Sequence, residues 1–197
     1  MGVDTAAPMA TVDPVEFMTT LSESNPAVAA LCTQLADLYQ RKLWHQITTK
    51  LEEVVNSPDF QGELLIKLYN NFIEDFDLKL NKLKLAQLAV LVSRQFKDAA
   101  EAEKFLEKVI EKLEATKAIG VNEPILFARM QIALLKLQTK DLERCRDLVE
   151  AGASELDGLL DVDPAVHAAL HWVTCQLHKA KGEFADFYRC GEATCCL

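Results

Sequence analysis

Glycine and proline are scarce in this sequence. It contains 7 Gly and 6 Pro among 197 residues, well under the share of roughly one in eight that average usage gives. Because these residues interrupt helices and mark turns, their scarcity disfavours a protein built from many short strands and loops. Strict alternation of apolar and polar residues, the signal of a half-buried strand, is also lacking. The composition therefore predicts an all-α protein.

Positive charge and long apolar runs are lacking as well. Lys and Arg number 21 against 30 Asp and Glu, a net charge of −9, so the basic footprint that nucleic acids and anionic membranes require is missing. No stretch of about eighteen apolar residues could span a bilayer. The first dozen residues have no basic segment typical of a secretory signal, and Ala6 stands where N-myristoylation needs Ser or Thr. We predict no nucleic-acid or membrane partner and a location in the cytoplasm and nucleus.

Motifs of catalysis are absent too. The sequence has no phosphate-binding glycine loop, no zinc-peptidase motif and no serine-hydrolase motif. Neighbouring carboxylates such as Glu52 and Glu53 are expected on a solvated helix face, since nothing indicates a cleft between them. We predict that the chain is not an enzyme and that it has no catalytic residue, cofactor, metal or small-molecule substrate.

Helix starts are well marked. Four dipeptides place an N-cap residue directly before a proline, which favours a helix beginning there: Asp13-Pro14, Asn25-Pro26, Ser57-Pro58 and Asp163-Pro164. Between them apolar residues recur at the helical period. The clearest stripes are Leu43, Trp44, Ile47, Leu51, Val54 and Val55, and the wider Leu64, Leu65, Leu68, Tyr69, Phe72, Ile73 and Phe76. We expect about nine or ten helices of roughly twelve to twenty residues, joined by short loops.

A faint internal repeat predicts how these helices are connected. Three short segments follow an apolar helix end and precede a bulky residue three positions on: Lys42-Leu43-Trp44, Lys140-Asp141-Leu142 and Gly182-Glu183-Phe184. This is the turn of a tetratricopeptide-like hairpin, although full repeat signatures are absent. The predicted architecture is a right-handed α-solenoid of irregular helical hairpins.

One predicted helix carries a row of side chains that could bind a metal ion. His167, His171, Cys175 and His178 are spaced 4, 4 and 3 residues apart and fall on one stripe of a helix. The predicted core stripe of the same helix is a separate one, Val166, Leu170, Val173 and Leu177. A single row cannot surround a tetrahedral ion, which normally draws ligands from two elements. We therefore expect a polar surface or a groove to a neighbouring helix rather than zinc.

The remaining cysteines are divided between helices and the end of the sequence. Cys32, Cys145 and Cys175 lie in helical stripes and are expected to be buried thiols. Cys190, Cys195 and Cys196 are expected in a frayed tail, since no apolar framework surrounds them. A reactive pair of Cys175 with a neighbouring histidine is a third, enzymatic reading.

Four aromatic residues are candidate anchors for a protein partner. They are Trp44, Tyr69, Trp172 and Tyr188, residue types that dominate interface hot spots. Trp44 and Tyr69 stand within apolar stripes, so burial in the core is favoured for these two.

Two segments carry a resemblance to a known family. The residues 42–48, KLWHQIT, with Leu38-Tyr39 before them, and the residues 65–73, LIKLYNNFI, with Phe76 after them, are similar to segments of the family of the 26S proteasome non-ATPase regulatory subunit 13. Residues 109–117, 122–125 and 183–188 resemble plant-type members. The resemblance extends from about residue 30 to residue 189.

This resemblance implies a non-catalytic scaffold subunit of the proteasome regulatory-particle lid, with other lid subunits as its partners. In that family an array of helical hairpins precedes a winged-helix PCI module, and the complex degrades ubiquitinated proteins. The resemblance implies a helical-repeat domain over residues 25–189, preceded by residues 1–24 with a short helix. It implies no ATP site and no metal.

The resemblance stops after Arg189. Residues 190–197 diverge from the family and no PCI segment is recognised in this sequence, so we expect a shortened form that keeps the helical arm. A free-standing tetratricopeptide-like adaptor that binds a client peptide or helix is the alternative.

Overall fold

Helices account for all of the regular structure in the part of the chain that is described. The computed structural model describes the backbone of residues 13–195, and side chains up to residue 190. Ten α-helices and two short 3₁₀ turns occur in this part, with no strand. The all-α prediction and the predicted number of helices are confirmed, whereas the hand of the solenoid stays a prediction. None of the described helices is long and apolar enough to cross a membrane.

The chain divides into two compact units, Met1–Lys79 and Leu80–Leu197. This boundary falls inside the helical-repeat domain predicted over residues 25–189, whose limits stay a prediction. The first unit contains α1 (Pro14–Ser24), α2 (Ala29–Gln40), α3 (Trp44–Asn56), α4 (Glu63–Asn71) and the 3₁₀ turns Ile73–Asp75 and Asp77–Lys79. The second contains α5 (Lys82–Ser93), α6 (Ala99–Ala115), α7 (Asn122–Gln138), α8 (Leu142–Asp157), α9 (Pro164–Lys181) and α10 (Phe184–Cys195).

Two of the four predicted proline starts are confirmed and two are wrong. The side chains of Asp13 and Asp163 accept hydrogen bonds from the backbone N–H two residues on, and a proline occupies the first helical position of α1 and α9. Asn25-Pro26 and Ser57-Pro58 instead begin turns, and the next helices start only at Ala29 and Glu63. An N-cap residue before proline is equally a β-turn start.

The turns have a reason in packing. Each directs one apolar side chain inward shortly after the proline: Val28 follows Asn25-Pro26, and Phe60 follows Ser57-Pro58. Both side chains are fully buried. Burying a residue of this size stabilises the fold by roughly 2 kcal/mol, more than the few tenths by which an additional helical residue differs from its alternatives.

The wide apolar stripe from Leu64 to Phe76 is not a single helix. The α-helix ends at Asn71, and the chain continues into 3₁₀ turns. Phe72, Ile73 and Phe76 are nevertheless buried, as the stripe predicted. The tighter turns keep these bulky side chains on the inner face, while the exposed Asn70 and Asn71 mark the end of the regular helix.

The three predicted hairpin turns share one backbone geometry. Lys42, Lys140 and Gly182 each have a positive φ, of 56°, 66° and 76°. In each turn the next residue donates its N–H to the carbonyl five residues back: Leu43 to Leu38, Asp141 to Lys136, and Glu183 to His178. These are the hydrogen bonds of a Schellman motif, and they reverse the chain between α2 and α3, α7 and α8, and α9 and α10. The sequence repeat is confirmed as a structural repeat.

The core of the second unit lies where α7 meets α8 and α9. The predicted inner stripe of α9 is confirmed, since Val166, Leu170, Val173 and Leu177 are all buried. At Gly152, α8 lies close to side chains of α7: a Cβ atom there would lie 2.8 Å from Met130 Cε and 3.0 Å from Leu126 Cδ1. A glycine therefore takes the place of a side chain at this contact.

The left-handed turns predict an effect of residue 140 on stability. Lys140→Gly removes the steric cost of a Cβ at positive φ and is expected to raise the free energy of unfolding by about 1 kcal/mol. Lys140→Ala removes the same charge but keeps the Cβ, so it should give no comparable gain. Gly182→Ala should lower stability by about 1 kcal/mol. Urea unfolding of the three variants measures these differences, and equal stability of the Gly and Ala variants at residue 140 would contradict the argument.

The close approach at Gly152 predicts a second effect. Gly152→Leu forces a side chain between α8 and the ends of Met130 and Leu126, and should lower the free energy of unfolding by roughly 1–3 kcal/mol. Gly158→Leu is the matched control, because Gly158 is exposed with an ordinary φ of −87° and should change stability by less than about 0.5 kcal/mol. Thermal unfolding of both variants tests the pair, and similar losses would refute the packing explanation.

Candidate protein-interaction surface

Exposed aromatic side chains are concentrated on the last described hairpin, α9–α10. Trp172, Phe184 and Tyr188 are exposed to 53%, 63% and 70%. Phe184 and Tyr188 are four residues apart on α10 and so share one face of the helix. Exposed aromatic side chains of this kind commonly anchor protein interfaces. We refer to Phe184 and Tyr188 as the aromatic face, whereas Trp172 of α9 lies beside Arg94, the C-cap of α5, and Phe127 and Gln131 of α7.

The two favoured core aromatics behave differently from these. Tyr69 is buried at 2% exposure, which confirms the core reading, and Trp44 is half-buried. Phe184 was not among the predicted anchors. The signal that could have found it is its spacing of four from Tyr188, but its position directly after a turn indicated a helix start instead.

Trp44 belongs to an aromatic cluster within the first unit. Its indole stacks on Phe76 with ring centroids 5.5 Å apart, and Tyr39 contacts Phe72 and Phe76 at 5.4 Å each. The ammonium of Lys79 lies 4.8 Å from the centre of the Trp44 ring, a cation–π geometry. The cluster fixes the α2–α3 hairpin to the 3₁₀ segment after α4. Trp44 therefore has a packing role.

A short hydrogen bond closes the cluster. The phenol of Tyr39 donates to Asp75 Oδ2 at 2.6 Å. This hydrogen bond, together with desolvation and the negative charges of Asp75 and Asp13, raises the pKa of Tyr39 to about 12. The phenol is consequently held in its neutral, donating form.

The row of His167, His171, Cys175 and His178 does not assemble three ligand atoms in the described residues. The group of possible metal ligands found there is a different one, His178, Glu183 and Asp186, whose ligand atoms lie within 4.8 Å of one another. His178 Nδ1 and Glu183 Oε2 are 2.7 Å apart, and Asp186 also pairs with Arg189 at 3.3 Å. Glu183 and Asp186 are exposed.

Three cysteine thiols have raised pKa values. Burial raises the pKa of Cys32 to about 11 and that of Cys145 above its ordinary value. Desolvation and a hydrogen bond with Cys175 raise the pKa of Cys190 to about 12, and its thiol donates to the carbonyl of His171 at 3.4 Å. A protonated thiol is a poor nucleophile. Cys32, Cys145 and Cys190 are therefore poor candidates for a nucleophile.

The expected frayed tail is wrong for residues 190–195. Helix α10 continues through Cys195, because the hairpin turn at Gly182 places α10 against α9 and Cys190 bonds to that helix. Cys196 and residues 1–12 lie outside the described residues, and so do the expectations made for them.

Comparison with known proteins gives this arrangement a family. Residues 31–191 match the family of PSD13 N-terminal repeats. The chain belongs to the PSD13 family. The match confirms the resemblance and includes the aromatic cluster, the aromatic face and all three left-handed turns.

Members of the PSD13 family from plants and an amoeba are clearly similar to this chain. The 26S proteasome non-ATPase regulatory subunit 13 homologs A and B of Arabidopsis thaliana are each 46% identical to it over 176 residues, which is 89% of this chain and 46% of the relative. The 26S proteasome non-ATPase regulatory subunit 13 of Dictyostelium discoideum is 31% identical over 182 residues, 92% of this chain and 46% of the relative. The chain thus spans about half the length of the curated relatives it matches.

The segments that resemble the PSD13 family serve packing in this chain. Leu38, Tyr39, Leu43 and Trp44 form the α2–α3 turn and the cluster around it, whereas His45 and Gln46 are exposed. A family signature of this kind identifies the hairpin, and the exposed residues of the same segment remain available to a partner.

The Tyr39–Asp75 hydrogen bond predicts a pH-dependent contribution to stability. Tyr39→Phe should lower the free energy of unfolding by about 1 kcal/mol at neutral pH. Because the folded state raises the pKa to about 12, the contribution is complete below the unfolded value of about 10 and is lost as the pH rises through the folded one. Urea unfolding of wild type and variant from pH 8 to 12 measures the difference.

The control for this experiment is Tyr188→Phe, which alters an exposed phenol and should change stability by less than about 0.5 kcal/mol. A difference between wild type and Tyr39→Phe that stays constant up to pH 12 would count against the assignment.

Proposed function

We propose that the chain is a non-catalytic scaffold subunit of the lid of the 26S proteasome regulatory particle and supports ubiquitin-dependent protein degradation through assembly of that particle. The observation that carries the proposal is the family match over residues 31–191, with relatives named as 26S proteasome non-ATPase regulatory subunits at 46% identity. The chain spans about half the length of these relatives, so the proposed role is that of the part they share with it.

The physical character of the chain supports a scaffold. Helical hairpins that stack through local contacts are a common scaffold architecture, and the aromatic face offers two large side chains that are mostly exposed. Such side chains stabilise a complex when a partner covers them. The proposed partners are other proteasome lid subunits.

A scaffold requires no reaction centre. The raised pKa values of Cys32, Cys145 and Cys190 make these three thiols poor nucleophiles. The proposal assigns no catalytic residue, cofactor or metal, and it places the chain in the cytoplasm and nucleus, where its net charge of −9 disfavours association with nucleic acid.

The adaptor reading is less favoured. A client-binding solenoid explains the helical hairpins equally well, but it gives no reason for the similarity to proteasome regulatory subunits in plants, an amoeba and yeasts. The two readings differ in the size of the assembly that contains the chain.

Gradient sedimentation tests the proposal. A tagged chain added to an extract of Arabidopsis thaliana should migrate with the regulatory particle and co-precipitate with lid subunits when either side is captured. Phe184→Ala combined with Tyr188→Ala should reduce the co-migrating amount by at least about tenfold, since hot-spot aromatics typically contribute more than about 1 kcal/mol each.

Leu78→Ala is the control, because Leu78 is an exposed apolar residue outside the aromatic face. A folded chain that remains a free species of 22.0 kDa throughout the gradient would overturn the scaffold proposal and favour the adaptor.

A further inference from the structure

Two loops of the second unit meet at one end of its helices. Residues 116–121 join α6 to α7, and residues 158–163 join α8 to α9. The backbone N–H of Asp163 donates to Glu123 Oε2 at 3.3 Å, which ties the second loop to the start of α7. We refer to residues 114–123, Arg129 and residues 155–163 as the two-loop edge.

An ion-pair triad holds the base of this edge. Arg129 of α7 bonds to Glu155 at the end of α8 at 2.6 Å and to Glu114 at the end of α6 at 3.1 Å. The three side chains line a groove, with Val121, Ile125 and Leu159 as its apolar lining. Because one guanidinium bridges two carboxylates, Arg129 is charge-compensated and the groove keeps an excess of negative charge.

Each loop presents one apolar side chain fully to solvent. Ile119 is exposed to 105% and Leu160 to 94%. Both lie close to residues with a left-handed backbone: Lys117 and Gly120 beside Ile119, and Asp161 beside Leu160. A residue other than glycine at positive φ lowers the stability of the fold by about 1 kcal/mol or more. Neither Ile119 nor Leu160 is covered by the chain itself.

The two-loop edge carries more negative than positive charge. The two-loop edge contains six acidic residues and two basic ones. The acidic residues are Glu114, Glu123, Glu155, Asp157, Asp161 and Asp163, and the basic ones are Lys117 and Arg129. Such a field attracts a cationic partner and repels phosphate-bearing surfaces, both nucleic acid and anionic lipid.

We propose that the two-loop edge binds a basic segment of a partner protein in which Lys or Arg alternates with apolar side chains. The apolar side chains of that segment cover Ile119 and Leu160, and its cations face the surrounding carboxylates. Since most of these carboxylates are exposed, they set the association rate and the salt dependence more than the affinity. The proposal concerns the chemistry of a partner and holds independently of assembly into the proteasome lid.

Fluorescence anisotropy with three labelled synthetic peptides tests the proposal on the purified chain. The first peptide alternates pairs of Lys and Leu, the second has Ser in place of every Leu, and the third has Glu in place of every Lys. The chain should bind the first at least about tenfold more tightly than the second and not bind the third, with the affinity falling as NaCl is added. Equal binding of the first and second peptides would reject the apolar part of the site.

Paired variants locate the site. Ile119→Ser with Leu160→Ser, and Asp157→Asn with Asp161→Asn, should each weaken binding of the first peptide by about tenfold. The residues changed are exposed, and Asn tolerates the left-handed conformation of residue 161, so circular dichroism and the unfolding midpoint should be unchanged.

Matched changes elsewhere separate a site from general attraction to an acidic protein. Phe184→Ser removes an exposed apolar side chain, and Glu107→Gln with Glu143→Gln removes two exposed charges outside the two-loop edge. Both should leave the affinity within about twofold of wild type. If they weaken binding as much as the edge variants, or if the edge variants bind as wild type does, the proposal is wrong.

Discussion

A left-handed residue at the end of a helix is the constraint on which three hairpins of this chain depend, α2–α3, α7–α8 and α9–α10. Each amphipathic helix has an apolar stripe that must be covered by a neighbour, and the chain must reverse within two residues to bring that neighbour alongside. The Schellman geometry at Lys42, Lys140 and Gly182 provides this reversal. It also satisfies helix-end carbonyls that would otherwise lack a partner. Packing between helices then adds the larger part of the stability.

The three turns have different side chains on the two residues joined by the hydrogen bond that spans five residues. The pair is Leu38 and Leu43 in the first turn, Lys136 and Asp141 in the second, and His178 and Glu183 in the third. An apolar contact commonly accompanies this motif, and in the third turn a side-chain bond of 2.7 Å takes that place. A backbone repeat is thus retained while its side chains diverge, which explains why the sequence repeat is faint.

The sequence predicted the fold class, the hairpin turns and the inner stripe of α9, because these depend on local periodicity and turn chemistry. It failed at Asn25-Pro26 and Ser57-Pro58, where burial of Val28 and Phe60 decides between a turn and a helix start. It could not predict the two-loop edge, since the exposure of Ile119 and Leu160 follows from tertiary placement. Candidate anchors were predicted by residue type alone, and the structure separates the buried Tyr69 from the exposed Trp172 and Tyr188.

Helix α7 contacts four other helices of its unit, namely α5, α6, α8 and α9. In a linear array of repeats each element contacts only its immediate neighbours, so such an array can unravel from its ends. A helix shared by two successive pairs removes that possibility, because neither pair can separate without exposing the inner face of α7. Helices α5 to α9 are therefore expected to unfold as one cooperative block, and the backbone amides of α7 should be among its last to exchange with solvent.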